Sequence, residues 1–344
     1  MLKIDGSQKS GSGTILRLSI ALAGILNEPL HIYNIRHKRK QPGLRPQHLE
    51  SVLTAAKLCN AETDGVKLGS RELWFEPNGI IKGEVRAEIG TAGSISMLLL
   101  TVLPICACAK GDVTVHVING GTDVRYAPTI NYMKHVLLPT LERMGLKSSL
   151  AVRKFGYYPK GMGEVILKVS NSYELGALSI TKFGEIERIE GVSVCTFLEK
   201  QMVAERQAEA ATKILRNKGY ATKIDVVNDE SNPLQKGSSI VLWTKTSNGA
   251  TVGGDAIGEL RKSSETVGKE AADNLIKETE THAALDVHLA DMLVPYIALA
   301  KGTSTYTARK ITDHIDTNIW LVEKILDTKI QVTKVEKLYE IEKS

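Results

Sequence analysis

One arrangement recurs along the chain and restricts what it can fold into. A helical run ends at a small residue, a strand-like segment follows, then a turn and a second strand-like segment. It occurs at residues 48–77, 130–169, 204–245 and 317–341. Amphipathic helices beside paired strands bury their apolar faces by packing helix on sheet. The fold class is therefore α+β: layers of helix on sheets with antiparallel hairpins. The unit is too long and too loosely repeated for a solenoid.

Three further runs, 13–26, 93–107 and 284–300, are apolar nearly all round, which predicts helices buried between layers. Residues 180–280 are richer in charge and carry one helix–strand–strand unit of their own. They read as a smaller inserted α/β domain, with 1–179 and 281–344 forming the larger one.

At 344 residues and 42% apolar, the chain can bury a sizeable core in more than one domain. A net charge of +5 is compatible with an anionic partner. The four cysteines show no C-x-x-C spacing and are too sparse for a disulfide scaffold, so reduced intracellular thiols are expected. The first residues, MLKIDGSQKSG, lack the apolar stretch of a secretory signal. The most apolar segment, 94–109, is interrupted by Thr101 and Pro104 and is short for a membrane span. A cytoplasmic protein with no membrane partner is expected.

Chemistry concentrates in turns. In DGSQKSGSGTILR, residues 5–17, glycines lead into a helix, an arrangement that opens backbone N–H groups to an anion. It is not an ordinary phosphate loop, because Ser12 stands where the lysine belongs. Residues 34–48 crowd Arg36, Lys38, Arg39, Lys40 and Arg45 around a Pro-Gly turn. Guanidinium forks grip phosphate oxygens in pairs, so this turn suits a nucleotide or a phosphate-bearing polymer. A third turn, NGGTDVRYAP at 119–128, closes a strand and carries Asp123 and Arg125. His288 and Asp291 sit on the apolar run at 284–300. No metal-ligand spacing and no G-x-S-x-G elbow is present.

The stretch ARKITDHIDTNIWLVEKIL places His314 where a polar run becomes an amphipathic helix. Asp313 or Thr312 can cap that helix, which puts His314 in its first turn. The positive end of the helix dipole disfavours imidazolium, and a neutral ring nitrogen is a nucleophile.

Taken in order, these blocks resemble RNA 3′-terminal phosphate cyclases. The matching stretches are DGSxxxGxGxxLR, IRxxRxxPGLRPQH, GTAGSIS, GGTDVxxAP, YYPKGMGE, VAERQA and HxxTNIWLVEKIL, spread over nearly the whole chain. The resemblance implies repeated β-α-β-α-β-β units, like the C-terminal domain of a bacterial translation initiation factor, plus the insert. It implies a ligase acting on RNA with a 3′-phosphate. His314 would attack ATP to give a histidine–AMP, AMP would pass to the RNA 3′-phosphate, and the 2′-hydroxyl would close a 2′,3′-cyclic phosphate. ATP and a divalent ion, Mg²⁺ or Mn²⁺, would be required.

By the same resemblance, Arg36, Arg39 and Arg45 would hold the RNA 3′-phosphate. ATP would meet Thr14, Arg17, Leu100, Pro128 and the run His288, Leu289, Ala290, Asp291 and Met292. Pro128 and His288 would flank the adenine. The family has a metal-binding glutamate where Ser10 stands and a glutamine where Thr14 stands. It has glutamines where Leu100 and Met292 stand, and a tyrosine where His288 stands. His288 can still stack on a base, but Ser10 and Met292 cannot do what Glu and Gln do. A catalytically silent RNA-binding branch of the family is the alternative, and His314 and Asn318 argue against it. An enolpyruvyl transferase shares the repeat architecture but not these motifs. Oligomeric state is left open, a homodimer included.

Overall fold

The computed structural model describes residues 1–171 and 174–344. The first unit runs β1 (Leu2–Asp5), α1 (Gly13–Leu26), β2 (Leu30–Tyr33), α2 (Pro46–Leu58), β3 (Glu62–Asp64) and β4 (Leu73–Glu76). The second runs β5 (Gly83–Glu88), α3 (Ile95–Ala107) and β6 (Val113–Gly120). It continues through α4 (Ile130–Tyr132), a π-helical turn at Met133–Leu137 and α5 (Leu138–Glu142) to β7 (Ser148–Lys154) and β8 (Gly163–Val169). The third unit opens with β9 (Ser179–Ile180) and is then interrupted. Between come β10 (Ile186–Thr196), α6 (Val203–Asn217), β11 (Thr222–Asp229), β12 (Gly237–Thr246), β13 (Gly253–Ile257) and α7 (Ser264–Thr279). The unit resumes with α8 (Val287–Leu299), β14 (Ser304–Ala308), α9 (Asp313–Leu326), β15 (Ile330–Val335) and β16 (Leu338–Lys343).

Three sheets share one strand order. They are β1-β2-β4-β3, β5-β6-β8-β7 and β9-β14-β16-β15, each with a parallel first pair followed by two antiparallel pairs. The parallel pair forces a crossover helix between its strands. These helices are α1, α3 and α8, each buried on almost every side. Strands alternate as a one-sided sheet requires: Leu30 and Ile32 of β2, and Val113, Val115 and Val117 of β6, face inward. This is the α+β layering expected from the helix–strand–strand recurrence.

The unit expected at 204–245 differs. β11 and β12 do not form a hairpin; both pair with β10, in the order β11-β10-β12-β13. Adjacency in sequence predicted a pairing that the long central strand β10 intercepts. We propose the division near 180 and 280 as a domain boundary, since β9 pairs with β14 across that whole stretch.

Candidate active site

Two helix N-termini from opposite ends of the chain meet. Ser12 caps α1, and Thr312 caps α9 by accepting from the Ile315 amide at 3.1 Å. The glycine loop is tied to α9 by the Ser10 amide donating to Thr317 Oγ1 at 3.2 Å, and by Lys9 pairing with Asp316 at 3.0 Å. Gly11 turns this loop in the left-handed region, at φ 55°, which glycine adopts without strain. As a result Thr14 Oγ1 lies 3.2 Å from His314 Nδ1, and Arg17 Nη2 donates to the same Oγ1 at 3.1 Å.

His314 is half-buried, and its pKa is lowered below the usual imidazole value. Burial is the largest cause, with the Arg17 and Arg39 charges adding to it. The ring is therefore neutral near pH 7. Arg17 is itself brought down to about 10 by burial, against the pull of Asp291. Burial raises Asp291 to about 7, with Arg17 and His288 opposing. Asn318, one turn along α9 from His314, donates to Asp291 Oδ1 at 2.5 Å and to its backbone carbonyl at 3.1 Å.

The basic turn is anchored by one of its own arginines. Arg36 Nη1 donates to the carbonyls of Gln41 and Gly43, both at 2.8 Å. Gly43 lies at φ 80°, and a Cβ there would approach the Gly69 carbonyl to 2.3 Å. Only glycine fits this turn. Behind it His48 is buried and its pKa falls to about 2, first through burial and then through Arg17, Arg36, Arg45 and Arg39.

These groups surround one cleft of about 670 Å³. Thr14, Arg17, Arg36, Arg39 and His314 line its polar part. Leu100, Pro128, His288, Asp291 and Met292 line the rest. Four expected residues do not line it. Leu289 and Ala290 are fully buried and seat α8 on the core, because a helix presents only one face to a cleft. Arg45 is the exposed N-cap residue of α2 and reaches the site through its charge alone. Ser10 makes loop contacts, its Oγ 3.0 Å from Ser12 Oγ. Unforeseen lining residues include Gln47, His48, Tyr126, Tyr132 and Asp255.

Among the described residues no group of three or more His, Cys, Asp or Glu side chains could hold a metal ion. The cleft carboxylates of Asp291 and Asp255 are engaged by Asn318 and by the Thr129 amide. The residues present therefore do not fit a metal held by the protein itself. No helix is long and apolar enough to cross a membrane among them either.

Fold and cleft together define an α+β protein of three repeated units that sets a neutral histidine against clustered guanidinium groups. The family model for RNA 3′-terminal phosphate cyclases matches residues 8–332. A protein of that name from Pyrobaculum neutrophilum is 43% identical over 341 residues, covering 99% of this chain and 97% of its own. Like-named proteins from Methanopyrus kandleri and Methanosarcina barkeri are 40% and 42% identical, covering 96% and 99% of this chain, and 95% and 99% of their own lengths. The chain belongs to the RNA 3′-terminal phosphate cyclase family.

Proposed function

We propose that the protein is an ATP-dependent RNA 3′-terminal phosphate cyclase with His314 as its nucleophile. The observation that carries this reading is the His314 imidazole at the α9 N-terminus, hydrogen-bonded to Thr14 Oγ1 and sharing one cleft with Arg17 and Arg39, with burial and those charges favouring the neutral ring. In the tautomer whose Nδ1 proton is donated to Thr14 Oγ1, Nε2 holds the free lone pair. In the first step Nε2 bonds to the α-phosphorus of ATP, and the bond to the bridging oxygen breaks with its electron pair leaving on pyrophosphate. In the second, an oxygen of the RNA 3′-phosphate displaces the imidazole from that phosphorus, giving an RNA–AMP anhydride and the neutral ring. In the third, the 2′-hydroxyl oxygen attacks the RNA phosphorus, AMP leaves, and the hydroxyl proton passes to AMP or water.

Each step moves negative charge between phosphates, so fixed cations contribute most. Arg17 faces the ATP phosphates, and Arg36 and Arg39 face the RNA 3′-phosphate. Arg36 keeps part of its fork on the turn, which leaves Arg39 the freer of the two. A divalent ion, magnesium or manganese, would enter with the triphosphate and supply neutralisation of its charge.

The test is incubation with α-labelled ATP and a divalent ion. A protein adduct that is acid-labile and alkali-stable is expected, and it disappears in His314→Ala. A wild-type protein left unlabelled where a known family member labels would point to the RNA-binding alternative.

A further inference from the structure

The insert leaves one sheet with an open edge. β11 is the outermost strand of β11-β10-β12-β13, and its eight residues make it the longest edge strand of the four sheets. Its odd-numbered residues bond inward: the Ala221 carbonyl accepts from the Ile189 amide at 2.8 Å, and the Asp229 carbonyl from the Phe197 amide at 3.0 Å. The parallel register between them is unbroken, so Thr222, Ile224, Val226 and Asn228 turn their N–H and C=O groups outward. Proteins normally blunt such an edge. On β5, Lys57 Nζ donates to the Arg86 carbonyl at 2.8 Å and Glu50 accepts from the Glu88 amide at 3.1 Å. Among the described residues nothing caps β11 in this way, and Val226 and Val227 are 42% and 38% exposed on it.

We propose that β11 pairs with β11 of a second copy of this chain, antiparallel about a two-fold axis at Val226, joining two four-stranded sheets into one. The proposal is independent of the nucleotide reading of the cleft. Outward-facing residues can bond only to outward-facing residues, so the axis must pass through a residue rather than between two. Charge then selects the register, because like charges directly opposite destabilise a pair and unlike charges support it. An axis at Asp225 sets that carboxylate against its own copy, and one at Val227 sets Asp225 against Asp229. An axis at Ile224 leaves the last three residues of the strand without partners. At Val226 the axis pairs Val226 with itself, Ile224 with Asn228, and Lys223 with Asp229 at both ends. Beside the strand, α6 walls an open groove with Glu205 and Glu209 toward one end and Lys213 and Arg216 toward the other. The same axis reverses α6, which brings the acidic end of one copy toward the basic end of the other. The neighbouring cations Arg206 and Lys218 are already paired with Glu265 and Glu280, both at 2.7 Å, whereas Lys213 and Arg216 are exposed and in no ion pair among the described residues.

Sedimentation velocity of the full chain should show a dimer at about 100 µM that dissociates on dilution toward about 1 µM, as a small, part-polar interface does. Val226→Lys sets two ammonium groups together on the axis and should raise the dissociation constant by at least about tenfold. Lys223→Asp, which faces Asp229 with a second carboxylate, should act in the same direction. Cysteines read the register. Opposed Cα atoms in a hydrogen-bonded antiparallel pair lie about 5.5 Å apart, within reach of a disulfide. Val226→Cys should therefore give a covalent dimer on mild oxidation. Ile224→Cys alone should not, but mixed with Asn228→Cys it should. The wild-type chain, whose Cys59, Cys106 and Cys195 are buried, is the reference. A protein that stays monomeric at the highest of these concentrations would overturn the proposal. So would a dimer in which Val226→Cys does not cross-link, or one that Val226→Lys leaves undiminished, because the contact would then lie on another face.

Discussion

The turn after β2 and the turn after β6 occupy the same place in two copies of one unit, yet their chemistry is opposite. The first, residues 34–45, puts Arg39, Lys38 and Lys40 on the surface and is held mainly by backbone and by Arg36. The second, residues 121–129, buries its carboxylate and ties its one arginine, the exposed Arg125, to Glu259 at 2.7 Å. Asp123 is 2% exposed, accepts from Thr122 Oγ1 at 2.7 Å and the Ile130 amide at 3.3 Å, and is pushed up to about 7 by burial. One turn offers cations to a ligand, while the other spends a carboxylate on its own shape and offers Pro128 and Tyr126. The fold repeats, and the chemistry at each repeat follows from which polar groups stay in water.

That contrast can be broken by substitution. The largest stability effect should come from Asp123→Ala, which removes two hydrogen bonds to a buried carboxyl and costs about 3 kcal/mol, read as a lower urea midpoint. His48→Gln should sharpen the picture from the other side. The unfolded imidazole takes its proton below about pH 6.5, but the folded one only near 2. Its stabilising contribution is present above pH 6.5 and declines as pH falls, by about 2 kcal/mol at pH 5. The variant should lose that part of the acid sensitivity, so the gap between the two unfolding curves should narrow from pH 7 to pH 5. A constant gap would show that burial of the neutral ring is not what the arginines enforce.

Arg39→Ala should leave stability within about 0.5 kcal/mol, as expected for an exposed side chain. It should still raise KM for 3′-phosphorylated RNA by about tenfold, the loss of one charge-assisted contact. Most self-adenylylation should survive at neutral pH. Equal loss of both steps would reassign the basic turn to ATP. In the same variant one of the charges that depress His314 is gone. The acid limb of self-adenylylation should accordingly move to higher pH, the smallest of these effects, read from a pH–rate profile.

Periodicity made the repeats legible, because helix faces and strand alternation are local. The cap before His314 was legible for the same reason, although only the structure chooses Thr312 over Asp313. Treating 288–292 as one block lost the helical phase: His288, Asp291, Met292 and Pro295 line the cleft at i, i+3, i+4 and i+7, whereas Leu289 and Ala290 point to the core. The pairing of β11 with β10 and the arrival of Asp255 at the cleft depend on contacts far apart in sequence, which no local pattern encodes. Asp255 sits in GGDAIG, a stretch that reads as a plain strand.

His314 and Thr14 are separated by 300 positions along the chain. During synthesis β9 must wait for β14, and the glycine loop for α9. Prematurely terminated products would carry the arginine turn without His314. On the function proposed above, labelling of that histidine would double as a certificate that the chain has been completed and closed on itself.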